Sequence, residues 1–335
     1  MHILLLAGML TAGPLEILGA GATFSYPLYS KMFSVYSKEK DVRINYQPIG
    51  SGGGIRQLQN KTVDFGGTDA FISEEELNKF DKILHIPVCL GAVAITYNIP
   101  GNPMLKLTPE IIADIFMGKI TAWNNEKIKR INPDIKLPKL NIIIVHRADA
   151  SGTTFIFTDY LSKISPLWKQ MVGRGKAVNW PKGLGAKGNE AVTGLVKQLP
   201  GSIGYCELAY TIQNNMARAQ IQNASGNFIA PSLESTIAAA PEEVPEDTRV
   251  TLTNTSNENG YPIIGFTWVI LYKDQKYKNR SKVKAKALVD LLWWMTHEGQ
   301  KFTKALDYAP LPAKVVPAAE KLISSVTYGE QKIKK

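Results

Sequence analysis

From Leu15 onward the apolar and polar positions follow two alternating periods. Short β-branched runs, "VRINYQPI", "VDFGG", "ILHIPV", "AVAITYN", "LNIIIVHR", "SIGYCEL" and "FTWVILYK", read as strands. Between them "YPLYSKMFSVYSKEK", "GGGIRQLQN", "TPEIIADIFMG", "TTFIFTDYLSKI" and "NEAVTGLVKQL" carry the spacing of helices with one apolar face. Strands and helices taking turns along a chain is the order of an α/β protein. Residues 230–261 are poor in aromatics and rich in Pro, Asn, Ser and Thr, which predicts a helix and loops on the surface. A strand and two amphipathic helices, "AKALVDLLWWMTHEGQKFTKAL" and "AKVVPAAEKLISSV", follow. No internal repeat occurs at a solenoid period.

A chain of 335 residues with 44% hydrophobic content can bury a large core, and its length suits two lobes. No run approaches the roughly 18 apolar residues of a membrane-spanning helix. Residues 1–14 read as a signal peptide: the chain is apolar from Ile3 to Leu10, small residues follow, and cleavage is expected near Ala12 or Gly13. A buried first strand is the alternative, since only His2 stands where lysines or arginines are usual. The first cysteine is Cys89, so an N-terminal lipid anchor is not expected. Cys89 and Cys206 sit in strand-like contexts and are expected as buried free thiols, although an oxidising compartment would allow them to pair. The four histidines are scattered with no metal-ligand spacing, so neither a metal nor a cofactor is expected.

The net charge of +10 admits nucleic acid, a membrane surface or a small anion as a partner. The densest basic run, residues 273–286, holds seven positive side chains and one negative. It lacks the arginine–aromatic interleaving of single-strand binders and reads as a solvated loop and helix face, so nucleic acid is not an expected partner.

Four loops carry the candidate chemistry. In "GAGATFSYP" (19–27) glycines permit a tight turn between strand and helix, and Thr23 can cap the helix and donate its hydroxyl. In "IGSGGGIRQL" (49–58) Ser51 stands where an N-cap belongs, and the N–H groups behind it form an anion site with the helix dipole. The loop is neither a Walker loop nor a full dinucleotide fingerprint. In "VDFGGTDAFIS" (63–73) Asp69 follows a strand at the carboxyl edge of a sheet. In "VHRADASGTTF" (145–155) Ser151 starts a helix, with Arg147 and Asp149 on its approach.

Each loop alone is consistent with an ordinary helix cap. Together, three helix starts and an arginine suit a small tetrahedral oxyanion held by N–H, hydroxyl and guanidinium donors. Asp69 fits such a place when the anion carries a proton. Phosphate keeps at least one proton near neutral pH and sulfate keeps none. A buried acceptor left facing another acceptor costs about 1–3 kcal/mol or more, and a site built on one required hydrogen bond discriminates by roughly 10⁴- to 10⁵-fold.

The stretches "LGAGATFSYPLYSKMF", "YQPIGSGGGIRQLQNKTVDFGGTDA", "FMGKITAWNNEKIKRINP", "HRADASGTTFIFTDYLS", "WPKGLGAKGNEAV", "LPGSIGYCELAYTIQNN" and "ALDYAPLP" closely resemble the secreted, periplasmic phosphate-binding protein of the high-affinity phosphate ABC transporter. The likeness runs from about Leu18 to the C-terminal helices and is weakest between about Ile221 and Tyr261. It implies a type II, Venus-flytrap solute-binding fold: two lobes, two hinge crossings and phosphate in the cleft between them. The implied ligand contacts are Thr23, Phe24, Ser51, Asp69, Arg147, Ser151, Gly152 and Thr153, with Asp69 accepting the ligand proton and Asp149 orienting Arg147. Lobe 1 would comprise residues 15–92 and 263–335, lobe 2 residues 93–262, with crossings near Val93–Asn98 and Phe266–Tyr272. A membrane permease is the implied protein partner, and a monomer is expected.

Two rivals remain at this point. His146, Asp149 and Ser151 invite a hydrolase triad, yet within six residues they do not easily converge on one geometry. Sulfate or molybdate would suit the donors but not Asp69.

Overall fold

The computed structural model describes residues 14–334. The expected signal segment, apart from Pro14, lies outside the described residues.

A nine-stranded sheet organises the molecule, and its centre is the strand Ile83–Tyr97. All fifteen residues of that strand are buried, and at about 3.4 Å per residue it is roughly 50 Å long. Residues 83–92 pair antiparallel with Ile264–Tyr272, whereas 93–97 pair antiparallel with Ser202–Glu207. One strand therefore belongs to both halves of the sheet. Beyond Ile264–Tyr272 lies a wing of Phe65–Thr68, Leu15–Gly21 and Val42–Pro48, mutually parallel. Beyond Ser202–Glu207 lies the other, Ile143–Arg147 and Leu184–Ala186, again parallel.

The sequence pattern divides the central strand into "ILHIPV" and "AVAITYN" because Pro87 and Gly91 interrupt it. The sheet absorbs the proline at a register shift: Trp268 faces Pro87, Thr267 faces Cys89, and Val88 is the extra residue. Proline has no N–H to give the ladder, so a bulge is where a central strand tolerates it. The Val88 carbonyl accepts instead from Gln300 Nε2 at 2.9 Å.

The helix Tyr26–Lys40 covers the first wing with buried Leu28, Tyr29, Met32, Phe33 and Tyr36, one face of a 3.6-residue period. The helix Gly152–Ile164 does the same on the second wing through Ile156, Phe157, Tyr160 and Leu161.

Three expectations are corrected. Residues 230–261 contain the helix Leu233–Ala238, but the segment is not confined to the surface: Thr248, Leu252, Thr253 and Tyr261 are buried. Thr248 donates to the His85 carbonyl at 2.7 Å while Leu252 and Tyr261 join the apolar core, so buried hydrogen bonds and apolar contacts together draw this stretch inward. The first C-terminal helix ends at Thr296, after which His297 and two short 3₁₀ turns carry the chain to Leu306. Within the basic run Arg280 is buried and ion-paired with Asp64, which also takes Lys284 at 2.9 Å. Cys89 and Cys206 are free and buried.

Candidate functional site

The four loops singled out in the sequence all follow carboxyl ends of strands, where a sheet presents side chains beyond its edge. Thr23 and Phe24 follow Leu15–Gly21, Ser51 follows Val42–Pro48, Asp69 follows Phe65–Thr68, and Arg147 ends Ile143–Arg147. All are buried, as are Ser151 and Thr153.

On the first wing, two roles differ from expectation. Thr23 does not cap the helix Tyr26–Lys40, whose N-cap position is Ser25 without a side-chain bond. Its hydroxyl oxygen instead accepts from the Asn189 main-chain N–H at 3.2 Å and from Asn189 Nδ2 at 2.9 Å. Ser51 is the first residue of the helix Ser51–Gln59, because Gly50, at φ 87°, occupies the N-cap position. Ser51 Oγ accepts from the N–H of Asp69 at 3.2 Å and of Gly152 at 3.1 Å, and donates to Asp69 Oδ2 at 3.4 Å. The Phe24 ring is buried, while its carbonyl accepts from Tyr308 at 2.6 Å.

Asp69 holds the central charge. Its Oδ1 accepts from the Thr267 hydroxyl at 2.8 Å. Burial pushes its pKa up to about 7, outweighing the Thr267 bond, the Arg147 charge and the Ser51 bond, all of which favour the carboxylate. The group thus sits near its ionisation midpoint at neutral pH.

On the second wing Arg147 donates through Nε to Asp149 Oδ1 at 2.7 Å and through NH2 to Asp149 Oδ2 at 2.5 Å, a bidentate fork. Its NH1 donates to Thr153 Oγ1 at 3.2 Å. Burial works against ionisation of Asp149, but the Arg147 donors and charge, with the Gly188 N–H at 3.1 Å, hold its carboxyl below the usual range. Ser151 is the N-cap of Gly152–Ile164 and accepts from the Thr154 N–H at 3.1 Å. That bond leaves the Ser151 hydroxyl proton to be donated elsewhere.

The walls meet directly. Gly152 N–H reaches Ser51, Gly52 N–H reaches the Ala150 carbonyl at 2.9 Å, and Asn189 reaches Thr23. Lys176 and Glu76 pair at 2.8 Å. A glycine is required at 152, since a Cβ there would lie 2.5 Å from Asp69 Oδ2 and 2.6 Å from Ser51 Oγ. A groove of about 880 Å³ between Leu15, the helix Lys282–Thr296 and residues 331–334 contains none of these side chains.

Two members of this cluster escaped the sequence reading. Thr267 is the single threonine in the buried run "IGFTWVILY", and a short polar side chain in an otherwise largely apolar strand signals a buried hydrogen-bond partner. Asn189 opens the helix Gly188–Gln198 after a glycine, a signal indistinguishable from an ordinary helix start until its partner 166 residues away is known. The triad residues do not combine. His146 stacks on Trp180 at 4.9 Å between ring centroids, Asp149 serves Arg147, and Ser151 caps its helix. Among the described residues no group of three or more His, Cys, Asp or Glu could hold a metal ion, and no helix is long and apolar enough to cross a membrane.

Two wings joined by a shared central strand, with polar helix starts brought face to face between them, define a two-lobed solute-binding protein. Residues 11–298 match the model of the PBP superfamily domain. Within it the chain belongs to the family of phosphate-binding proteins PstS. The protein of that name from Xylella fastidiosa strain Temecula1 is 43% identical over 312 residues, covering 91% of this chain and 84% of its own. That from Haemophilus influenzae is 42% identical over 320 residues and 94% of each chain. Among solved structures, a high-affinity periplasmic phosphate-binding protein with bound phosphate superposes with a TM-score of 0.70 at 20% identity over 92% of this chain and 93% of that one. An ABC-type phosphate transport receptor from Vibrio cholerae superposes at 0.57 and 18% identity, over 88% and 100%. These last two likenesses speak to the fold.

Proposed function

We propose that this protein binds inorganic phosphate between its lobes and passes it to the membrane permease of an ABC transporter from the periplasmic side, acting as a carrier and not as an enzyme. The observation that carries the reading is a buried Asp69 set among hydroxyl, N–H and guanidinium donors from both wings. Thr23, the Phe24 N–H and Ser51 from one wing, and Arg147, Ser151, Gly152 and Thr153 from the other, would hold the phosphate oxygens. Asp69 would accept the phosphate proton, and Asp149 would aim Arg147. The transporter role is supported by the likeness to the Vibrio cholerae protein, an ABC-type phosphate transport receptor. We place the lobe boundaries at 92/93, where the central strand changes partner, and at 262/263, just before the strand Ile264–Tyr272 begins.

Calorimetry on ligand-stripped protein tests this: one phosphate per chain is expected, and no heat of binding would refute it. A chromogenic phosphate ester should not be hydrolysed. Gly152→Ala should weaken phosphate binding by about tenfold or more, because the added methyl overpacks a closed wall. Its melting temperature should change little if the strain is confined to the closed cleft.

A further inference from the structure

We infer that Asn189 is a positioning residue that dictates the direction in which the two cleft threonines donate; the inference rests on the phosphate reading above. Asn189 is fully buried at the start of Gly188–Gln198. Its Nδ2 donates to Thr23 Oγ1 at 2.9 Å and to Thr153 Oγ1 at 3.2 Å, one hydrogen for each threonine. The carboxamide is held in that orientation because Oδ1 accepts from the Glu207 N–H at 3.1 Å, so turning it over would set two donors face to face.

Counting lone pairs gives the consequence. A hydroxyl has two acceptor sites and one proton. Both acceptor sites of Thr23 Oγ1 are filled by Asn189, through its main-chain N–H at 3.2 Å and its Nδ2. Both sites of Thr153 Oγ1 are filled as well, by Arg147 NH1 and Asn189 Nδ2, each at 3.2 Å. The Thr153 proton has a long 3.4 Å contact with Asn189 Oδ1, which an anionic oxygen outcompetes. Two hydroxyls that as free rotors would offer lone pairs as readily as protons are thereby fixed as donors. A fully surrounded anion needs that polarity. Because Thr23 and Thr153 lie on opposite wings, the arrangement is complete only when the walls meet.

The test is a double-mutant cycle read as phosphate dissociation constants for ligand-stripped wild type, Asn189→Ala, Thr23→Val and the double variant. Asn189→Ala should weaken phosphate about tenfold in the wild-type background but only about threefold or less in Thr23→Val, where the hydroxyl it orients is gone. Asn189→Asp keeps the volume but offers acceptors to both threonines. It should lose about 100-fold or more in affinity and recover as the pH is lowered, whereas Asn189→Ala should show no such recovery. An equal loss in both backgrounds, or an aspartate variant that binds like wild type, would overturn the positioning role and leave phosphate binding intact. A wild type that takes up no phosphate would overturn the binding reading, and this inference with it.

Discussion

Asp69→Asn is expected to shrink the preference for phosphate over sulfate by about 100-fold or more, through weaker phosphate binding and tighter sulfate binding together. In the wild type a bound sulfate would set an unprotonated oxygen against a buried carboxylate that already receives Thr267 at 2.8 Å. Two acceptors would then face each other out of water, a costly arrangement. An asparagine removes the charge and can turn an N–H toward sulfate, so the penalty disappears. The same substitution leaves the phosphate hydroxyl with a weaker acceptor.

The pH dependence follows from the same group. Sulfate can be accepted only when Asp69 carries the proton, and burial has pushed that carboxyl up to about 7. The protonated fraction rises as pH falls through that value, so sulfate binding should tighten by up to about tenfold per unit on the alkaline side and level off below it. In Asp69→Asn this slope should be absent. A variant that still rejects sulfate as the wild type does would remove Asp69 from the selectivity mechanism.

Arg147→Ala is expected to lower phosphate affinity by about 100-fold or more. The substitution deletes a buried cation with donors already aimed, and it leaves Asp149 partly buried without its fork partner. Part of the damage should therefore appear as lost stability in the ligand-free protein. Arg147→Ala/Asp149→Ala separates the two effects: stability should return toward wild type because no unpaired carboxylate remains, while affinity should stay low. Calorimetry and thermal melting on the same samples read both quantities. Unaltered affinity in Arg147→Ala would exclude the guanidinium from the site.

The parts of this architecture that are local were legible in the sequence. The helix Tyr26–Lys40 was readable because its apolar spacing and its Pro27 are properties of adjacent residues. Ser151 as the cap of Gly152–Ile164 was readable because a β-region serine before a helix satisfies an N–H three residues on. Long-range hydrogen bonding was not readable. Thr23 seemed a cap because nothing near it in sequence reveals Asn189. Thr248 and Thr253 seemed surface residues because composition does not reveal that they bond to His85 and Asp159. Pro87 concealed the continuity of the strand Ile83–Tyr97 because the bulge that accommodates it is formed by a partner strand about 180 residues further on.

Counting protons tests the account most directly. Wild-type protein should be titrated with phosphate and with sulfate above pH 7, in buffers of different ionisation enthalpy, so that calorimetry yields the protons taken up with each anion. Phosphate, which arrives with a hydrogen for Asp69, should bind with about zero net uptake. Sulfate should bind far more weakly and draw in about one proton per anion. Sulfate bound as tightly as phosphate with no proton taken up would contradict the account.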